Sequence, residues 1–434
     1  MQIAIMGFGT IGSGVAELLL KNQKSIVAKS GQSSLDIKYI LDIRDFSNHE
    51  LGKYFTTDFN DILNDPSVGI VVECMGGTTP AYEYVSACLK AGKSVVSSNK
   101  ELVAAKGFEL LELAKENNVN FLFEASVGGG IPIIRPISQC LAANEICEIA
   151  GILNGTTNFI LTKMIEDGMA FEDALKLAQD NGYAERDPSA DILGHDAARK
   201  ICILASLCFG KHVYPDAVET EGITEITSED VAYAKNWGGV IKLIGRAKLN
   251  DSGKISATVG PCLIQNHSQL ASVDDVFNAI LVRGDAIGDV VFYGKGAGKL
   301  PTASAVVADV IDCAKHLHAR KYVDWVDGSP DYVVTPDEKV RLYVYIQADN
   351  YDMLQNQFTT LFSDNTWHIK NDFKKEIAFI TNEDYENITI LDLRYGNTNV
   401  LEVLEEGFNR CLVLYEMGQF SQDEYFSKGV KVND

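Results

Sequence analysis

The residues best suited to acid–base chemistry lie in one segment near the middle of the chain, residues 182–200. Four carboxylates occupy a short loop and the start of the helix that follows it: Glu185, Asp187, Asp191 and Asp196. Asp196 and Lys200 are four residues apart, which places both side chains on one helix face about one turn apart. Two interpretations are open, a structural ion pair or a lysine whose proton is used in catalysis.

The helix predicted over residues 197–209 is almost wholly apolar and should be buried. A lysine on such a helix requires a partner or a chemical role, because an unpaired charge is costly away from water. His195 does not share the helical register that relates Asp196 to Lys200, and Asp187 precedes a proline and is typical of a turn. Asp196 and Lys200 are therefore the candidate acid–base pair.

The first twelve residues carry a dinucleotide-binding pattern. A short apolar strand over residues 2–6 leads directly into a G-x-G-x-x-G turn and an apolar helix. The first glycine permits a tight turn, the second lets backbone approach a pyrophosphate, and the third lets the helix pack on the strand. Free N–H groups at the helix N-terminus favour phosphate. We predict that the whole turn binds the cofactor: Gly7, Phe8, Gly9, Thr10, Ile11 and Gly12.

The end of the second predicted strand, residues 37–43, bears on the choice of dinucleotide. Asp42 suits the ribose hydroxyls of NAD, whereas Arg44 suits the 2′-phosphate of NADP. Both residues are present, so the pattern is compatible with either cofactor. Arg44 lies just past the strand end and favours NADP(H).

Further apolar strands alternate with helices and predict a parallel, doubly wound sheet with ligand at the carboxyl ends of its strands. They cover residues 68–74, 94–98 and 121–123. Lys100 directly follows one of them and is predicted to contact cofactor or substrate, with a surface lysine at a strand end as the alternative.

Two glycine-containing turns follow. Residues 124–132 (EASVGGGIP) contain three consecutive glycines, which predict a hinge or a close approach of backbone to a ligand. Residues 151–158 (GILNGTTN) place hydroxyl side chains at a helix start, where they would cap the helix and can bind a polar substrate.

Together these motifs resemble homoserine dehydrogenase, over about residues 1–320. The motifs that carry the resemblance are GFGTIGSG (7–14), SSNKELVA (97–104), EASVGGGIPII (124–134), GILNGTTNFIL (151–161), GYAERDPSADILGHDAARK (182–200) and YGKGAGKLPTASAVVAD (293–309). The resemblance implies interconversion of L-homoserine and L-aspartate 4-semialdehyde with NAD or NADP, in threonine, methionine and isoleucine biosynthesis.

The resemblance also implies roles for individual residues. Lys200 corresponds to the family's proton donor and acceptor, next to Asp196, and Lys100 to a lysine at the cofactor–substrate junction. The implied substrate-binding residues are Glu185, Asp191, Tyr183, Thr156 and Gly155, and a zwitterionic substrate does need carboxylates for its ammonium group. Further cofactor contacts are implied at Ser98, Gly298 and Thr302. Some members bind a monovalent cation through backbone carbonyls, which makes Glu124, Val127 and Gly129 candidate sodium ligands.

Composition excludes several classes of partner. The net charge is −22 and the pI near 4.7, whereas nucleic-acid and membrane-surface binding require basic patches. No apolar run is long enough to span a membrane, and the N-terminal residues do not resemble a signal peptide. The nine cysteines are scattered, as expected of reduced thiols in a cytoplasmic protein.

Beyond about residue 335 the pattern changes to a β-α-β-β-α-β order, predicted from strands at 340–346, 376–381, 391–393 and 411–415 and helices at 353–362 and 401–408. This is the ferredoxin-like order and resembles an ACT regulatory domain. The loop at 349–354 lacks the glycine that lets an amino-acid effector approach backbone. Weak regulation by threonine is expected, and a structural or dimer-building role is the alternative.

The predicted organisation has three parts. A Rossmann domain covers residues 1–130 and is joined again by about residues 300–325, an α+β substrate-binding and dimerisation domain covers 131–300, and an ACT-like domain covers 335–434. We expect a homodimer or homotetramer.

Two other functions compete with this interpretation. An aspartate semialdehyde dehydrogenase would need a reactive cysteine in an exposed loop, which the sequence does not offer. A nucleotide-sensing regulatory protein would not need the Asp196–Lys200 helix. An assay of homoserine-dependent NAD(P)H formation separates these three possibilities.

Overall fold

The computed structural model of the 434-residue chain describes residues 1–250, 252–317, 319, 323–329 and 331–334, and the backbone of four later strands. Two sheets organise the molecule, and each packs its helices over an apolar core. No helix in these described ranges is both long and apolar enough to cross a membrane.

The first sheet is parallel and has six strands in the order β3-β2-β1-β4-β5-β6. Its strands are β1 (Gln2–Met6), β2 (Asp36–Leu41), β3 (Phe55–Thr56), β4 (Val68–Glu73), β5 (Ser94–Ser97) and β6 (Phe121–Leu122), and its helices are α1 (Thr10–Lys21), α2 (Gln23–Ser30), α3 (Phe59–Leu63), α4 (Ala81–Lys90) and α5 (Lys100–Glu116). The order reverses between β1 and β4, which is where such sheets bind ligand at the carboxyl edge. The predicted doubly wound Rossmann sheet is confirmed.

The buried apolar runs explain why these strands are central. Ile3 to Met6 on β1 and Ile70 to Val72 on β4 are fully buried, because helices cover both faces of the sheet. The observed strands end one or two residues before the predicted ends at positions 43, 74, 98 and 123. The polar residues beyond these ends therefore lie in the loops of the carboxyl edge.

The second sheet begins with antiparallel strands in the order β12-β11-β7-β9-β10. Its elements, in chain order, are β7 (Ile146–Ile152), α6 (Gly155–Glu166), α7 (Phe171–Asp180), α8 (Ser189–Ile192), α9 (His195–Phe209), β8 (Glu219–Thr220), α10 (Ser228–Trp237), β9 (Gly239–Leu249), β10 (Ile255–Gln265), β11 (Phe277–Gly284) and β12 (Gly288–Lys295). Helix α9 packs between this sheet and α5 of the first sheet. Helix α11 (Lys299–Lys315) returns to the first sheet and packs on α1.

Four strands follow in the C-terminal part: β13 (Leu342–Ala348), β14 (Trp367–Asn371), β15 (Glu376–Ile380) and β16 (Phe408–Glu416). They pair in the antiparallel order β16-β13-β15-β14, and β16 adds to β10 of the second sheet. Strand β14 was not predicted, because its segment WHIKN mixes polar and apolar residues and lacks a clear alternation. The predicted helix at 353–362, the strand at 391–393, the loop at 349–354 and residues 401–407 of the predicted helix at 401–408 lie outside the described residues. The last residue of that predicted helix, Phe408, instead begins strand β16.

Candidate active site

One buried carboxylate, that of Asp196, lies between two lysines from different parts of the fold. Lys200 Nζ lies 2.7 Å from Asp196 Oδ2, and Lys100 Nζ lies 2.5 Å from Asp196 Oδ1. Asp196 and Lys200 belong to α9, whereas Lys100 is the first residue of α5 at the carboxyl edge of the first sheet. The i,i+4 pair and the lysine at the strand end, predicted separately, therefore meet at one carboxylate.

The start of α9 is fixed by a left-handed glycine. Gly194 has φ +85°, and a Cβ there would lie 3.0 Å from Thr220 Cγ2 and 3.1 Å from the Glu221 carbonyl oxygen. Asp196 then occupies the first turn of the helix, and Lys200 lies one turn later with its Nζ donating to the Leu153 carbonyl at 2.7 Å. Both side chains are buried, so both charges depend on these contacts rather than on water.

Asn154 connects Asp196 to a second carboxylate. Its Nδ2 donates to Asp191 Oδ1 at 2.7 Å and to Asp196 Oδ2 at 2.9 Å, while its Oδ1 accepts from Thr157 N at 2.8 Å and caps α6. Sequence reasoning did not single out Asn154. The available signal was an asparagine directly before a helix start, which indicates a cap but not a bond to a distant acid.

The electrostatics distinguish the two lysines. Burial lowers the pKa of Lys200, and repulsion from Lys100 adds to this, so the attraction of Asp196 does not restore the ordinary value. For Lys100 burial acts in the same direction, but Asp196 and Asp191 outweigh it and raise the pKa. Burial alone would raise the pKa of Asp196, yet Lys200 and Lys100 together lower it strongly, so the carboxylate stays ionised.

The predicted amino-acid site is only partly assembled around these groups. Asp191 shares the amide of Asn154 with Asp196, and burial raises its pKa. Glu185 is exposed, and its backbone carbonyl accepts from Gln179 Nε2 at 3.1 Å. Asp187 accepts from Ser189 N at 3.1 Å and Ser189 Oγ at 2.5 Å, which confirms its turn role.

Three further predicted substrate residues surround the start of α6. Thr156 Oγ1 donates to the Tyr183 carbonyl at 2.7 Å, which ties the acidic loop to α6. The Tyr183 ring contacts Phe159 edge-on at 5.0 Å and is otherwise exposed. Gly155 approaches backbone closely, since a Cβ there would lie 2.8 Å from the Val276 carbonyl oxygen.

The glycine turn after β1 has the shape of a dinucleotide cradle. Gly7 has φ +93°, and a Cβ at Gly12 would overlap the Gly7 carbonyl oxygen, so both positions need glycine. The position a Cβ would take at Gly9 is open, with no atom within 4 Å. Phe8 is buried behind this turn, whereas Thr10 is exposed and Ile11 is half-buried at the start of α1. The open face beside free helix N–H groups fits a pyrophosphate.

Asp42 and Arg44 form a single unit next to this turn. Arg44 contacts both oxygens of Asp42, through Nε at 2.9 Å and Nη2 at 2.8 Å, and Asp42 Oδ2 accepts from Phe8 N at 2.8 Å. The Arg44 guanidinium also lies 5.0 Å from the Phe46 ring centroid. Hydrogen bonding from Arg44, together with its charge, lowers the pKa of Asp42 despite partial burial. Asp42 and Arg44, the two candidates for contacting the adenosine ribose or its 2′-phosphate, therefore bind each other.

The two later glycine-rich segments pack together. Gly130 N donates to the Lys295 carbonyl at 3.0 Å, and Gly129, with φ +56°, lies so close to Gly296 that any side chain would overlap it. Gly298 has φ +122° and is the N-cap of α11, where its carbonyl accepts from Thr302 N at 3.1 Å. Ser98 N donates to the Glu73 carbonyl at 3.1 Å, at the same edge of the sheet as the glycine turn.

The Glu124 carboxylate accepts hydrogen bonds from three backbone N–H groups. It accepts from the N–H groups of Ile133, Ile134 and Arg135 at 2.5, 2.8 and 2.9 Å. In this structure the Glu124 side chain therefore holds the backbone of residues 133–135. Among the residues described, no group of three or more His, Cys, Asp and Glu side chains is arranged to hold a metal ion.

Cys74 and Cys88 are not suited to act as nucleophiles. Burial raises the pKa of Cys74 and of Cys88 to about 12, which leaves them protonated at neutral pH. Neither thiol is therefore the reactive cysteine that an aspartate semialdehyde dehydrogenase would require.

Comparison with known proteins agrees with the site. The family model described as homoserine dehydrogenase matches residues 132–311, and the model of its NAD-binding domain matches residues 7–124. The chain is 42% identical over 320 residues to homoserine dehydrogenase of Bacillus subtilis, covering 73% of each protein. Among solved structures, it matches a homoserine dehydrogenase from Thiobacillus denitrificans with a TM-score of 0.84 at 35% identity, covering 96% of this chain and 99% of the other.

A second solved structure is a hyperthermophilic archaeal homoserine dehydrogenase mutant in complex with NADPH. It matches with a TM-score of 0.61 at 31% identity, covering 72% of this chain and 97% of that one. The chain belongs to the homoserine dehydrogenase family, and it is an NAD(P)-dependent oxidoreductase that interconverts L-homoserine and L-aspartate 4-semialdehyde.

Proposed function

We propose that Lys200 is the group that exchanges a proton with the substrate oxygen in this reaction. The observation that carries the proposal is the Asp196 carboxylate held between two lysines whose pKa values shift in opposite directions. A lysine with a lowered pKa can change protonation state during turnover, whereas one with a raised pKa remains a fixed cation. Lys200 is therefore assigned proton transfer, and Lys100 is assigned charge stabilisation.

In the oxidative direction, neutral Lys200 Nζ accepts the hydroxyl proton of homoserine as the carbinol carbon loses hydride. The dinucleotide supplies the hydride acceptor, and in the reverse direction its reduced form supplies the hydride. Lys100 stabilises the negative charge that develops on the oxygen. Asp196 keeps both lysine side chains in place, and its own charge persists throughout the cycle. In the reductive direction, protonated Lys200 returns the proton to the oxygen.

The amino-acid part of the substrate is assigned to the acidic loop. The ammonium group of homoserine needs an acceptor, and Asp191 is the carboxylate that Asn154 links directly to Asp196. Glu185, on the exposed side of the same loop, is the second acceptor. Gly155, Thr156 and Tyr183 line the start of α6 where the loop is tied down. Glu185 is exposed, so a substrate arriving from solvent can reach this acceptor.

For the dinucleotide, we infer a preference for NADP(H). Arg44 has an exposed side chain beside the glycine turn and is held in place by both oxygens of Asp42. A fixed guanidinium is suited to a 2′-phosphate. Asp42 already accepts from Phe8 N and Arg44, which leaves it fewer free lone pairs for the ribose hydroxyls of NAD. The pyrophosphate is assigned to Gly7–Gly12, with Ser98, Gly298 and Thr302 nearby.

A monovalent cation is proposed at the turn of residues 124–129. Glu124, Val127 and Gly129 are buried, and within the described residues no donor reaches the carbonyl oxygens of Val127 and Gly129. Buried carbonyls without donors suit sodium, which takes oxygen ligands. Here the Glu124 side chain acts indirectly, by holding the backbone of residues 133–135.

The proposal extends to the domains of the chain and to its assembly. We propose a nucleotide domain of residues 1–130 completed by about 300–325, a substrate and dimerisation domain of 131–300, and an ACT-like domain of 335–434. The packing of α11 on α1 and the strand order β16-β13-β15-β14 support this division. A homodimer or homotetramer in the cytoplasm is proposed, and the free state of all the described cysteines is consistent with a reducing compartment.

The test replaces Lys200 by methionine, with Lys242→Met as a matched control. Lys242 is also buried, and its Nζ likewise contacts one carbonyl and one carboxylate, Val273 O at 2.6 Å and Asp274 Oδ1 at 3.1 Å. Lys200→Met should lower kcat by about 10²- to 10⁴-fold with the cofactor Kd unchanged. Lys242→Met should retain activity. If Lys200→Met keeps more than about a tenth of kcat, proton transfer by Lys200 is refuted.

A further inference from the structure

A second buried carboxylate, that of Glu73, lies at the carboxyl edge of the first sheet without a role so far. Glu73 ends β4 between Met6 of β1 and Ser97 of β5, and its side chain is fully buried. Within the described residues its partners are neutral donors, and burial raises its pKa. A buried carboxylate without a cation is costly, and an apolar side chain would fill the space more cheaply.

The two oxygens of Glu73 hold two different loops. Oε1 accepts from Met75 N at 2.8 Å in the loop after β4, and Oε2 accepts from Ser97 Oγ at 2.5 Å at the end of β5. Ser97 Oγ in turn accepts from Asn99 N at 3.0 Å. One side chain therefore fixes the geometry of both loops at the ligand-binding edge of the sheet.

Asn99 extends this network to the start of α5. Its Nδ2 donates to the Gly77 carbonyl at 2.6 Å and lies 3.4 Å from Glu73 Oε1, while its Oδ1 accepts from Leu102 N at 3.1 Å and caps the helix. The next residue is Lys100, whose Nζ reaches Asp196 at 2.5 Å. The position from which Lys100 extends is thus set by hydrogen bonds that converge on Glu73.

We propose that Glu73 is a positioning residue for Lys100. It holds Ser97 and Asn99 so that α5 begins where the Lys100 ammonium can reach both Asp196 and the substrate oxygen. The proposal rests on the role proposed for Lys100 above. Without Glu73, Lys100 remains present but samples positions away from Asp196, so the rate of hydride transfer falls while dinucleotide affinity is kept.

The experiment measures single-turnover hydride transfer, cofactor Kd and thermal unfolding for three variants. Glu73→Leu removes both acceptors at similar volume and should slow hydride transfer at least about tenfold. Glu73→Gln should lie between Glu73→Leu and wild type, because the amide oxygen can still serve Met75 while the Ser97 hydroxyl turns to accept from the amide. Ser97→Ala removes one link of the same network and should slow the step in the same direction.

Lys93→Met is the matched control. Lys93 is a buried charged residue at the opposite edge of the same sheet, where its Nζ donates to the carbonyls of Asp65 and Val68 at 2.6 and 3.1 Å. Lys93→Met removes a buried charge without touching the carboxyl edge, so it should leave the hydride-transfer rate within about twofold of wild type whatever its effect on thermal unfolding. This separates a positional effect from a general loss of stability.

A double-mutant cycle with Lys100→Met completes the test. If Glu73 acts through Lys100, adding Glu73→Leu to Lys100→Met should slow the reaction less than about twofold further. An undiminished further loss, or a Glu73→Leu variant with the wild-type rate, overturns the inference. A Lys100→Met variant with the wild-type rate instead overturns the proposed role of Lys100. If Glu73→Leu does not fold, the same comparison is made with Glu73→Gln and with Ser97→Ala, each in the wild-type enzyme and in Lys100→Met.

Discussion

Replacing Asp196 by asparagine perturbs the charge that sets the protonation of Lys200. The amide keeps the shape of the side chain and one oxygen that can accept from Lys200 Nζ, now 2.7 Å from the carboxylate. It removes the negative charge that both Lys200 and Lys100 contact. The pKa of Lys200, already lowered by burial, should therefore fall further.

The size of the effect follows from the burial of the pair. Removing one partner of a buried ion pair costs roughly 3–5 kcal/mol. We take about 3 kcal/mol, because the amide retains a hydrogen bond. Only the Lys200 pair is counted, since the Lys100 side chain is 39% exposed and water screens its share. At about 1.36 kcal/mol per pKa unit, this corresponds to a fall of about two units for Lys200.

The assay is rapid-mixing reduction of L-aspartate 4-semialdehyde, followed by loss of NADPH absorbance over a range of pH. Reduction requires protonated Lys200, so its rate falls as pH rises through the pKa of Lys200. In Asp196→Asn this falling limb should move about two units toward lower pH. At pH values above both midpoints, the variant should be about 100-fold slower than wild type.

Asp187→Asn is the control, since Asp187 lies in the same acidic segment but, among the described residues, its carboxylate accepts hydrogen bonds from Ser189 alone, in an exposed turn. It should leave the profile unchanged. If the falling limb of Asp196→Asn lies within about half a unit of wild type, then Asp196 does not govern the protonation of Lys200. The reasoning from the buried pair would then be wrong.

Three other predictions concern binding and regulation. Asp191→Asn and Glu185→Gln should raise the KM for homoserine about tenfold or more with little change in the cofactor KM, because each removes a charged acceptor for the ammonium group. Steady-state kinetics checks this prediction, and a main effect on the cofactor KM would contradict it. Arg44→Ala should raise the NADP⁺ KM much more than the NAD⁺ KM, whereas equal effects would show that Arg44 does not contact the 2′-phosphate. Threonine at millimolar concentrations should change the rate less than about twofold, because the loop at 349–354 lacks a glycine; this corresponds to a change in activation free energy under roughly 0.4 kcal/mol. Strong saturable inhibition that disappears on truncation after about residue 335 would contradict this.

The sequence predicts those parts of the fold that depend on local patterns. Apolar runs identify β1, β4 and β5, and the glycine spacing identifies the turn before α1 because each glycine has its own steric reason. The helical register of Asp196 and Lys200 likewise follows from their spacing. These features lie within one element or one turn, where periodicity and backbone sterics determine the outcome.

The rest of the site depends on contacts between distant segments. The pairing of Lys100 with Asp196 and the bonds of Asn154 to Asp191 and Asp196 arise only when α5, α6 and α9 pack together. No local pattern distinguishes Asn154 from an ordinary helix cap. The role of Glu73 cannot be predicted from the sequence for the same reason, since there it is only a polar residue at the end of an apolar strand.

The most direct test of the proton-transfer role of Lys200 is the pH dependence of hydride transfer in the wild-type enzyme, measured by single turnover in both directions. Oxidation of homoserine requires neutral Lys200 and should accelerate as pH rises, while reduction of the semialdehyde requires the protonated form and should slow. The rising rate of oxidation and the falling rate of reduction should share a midpoint at a pH below about 10.4, which is the ordinary pKa of a lysine, because burial lowers the pKa of Lys200. Rates that do not change with pH, or a common midpoint above that value, would contradict the assignment.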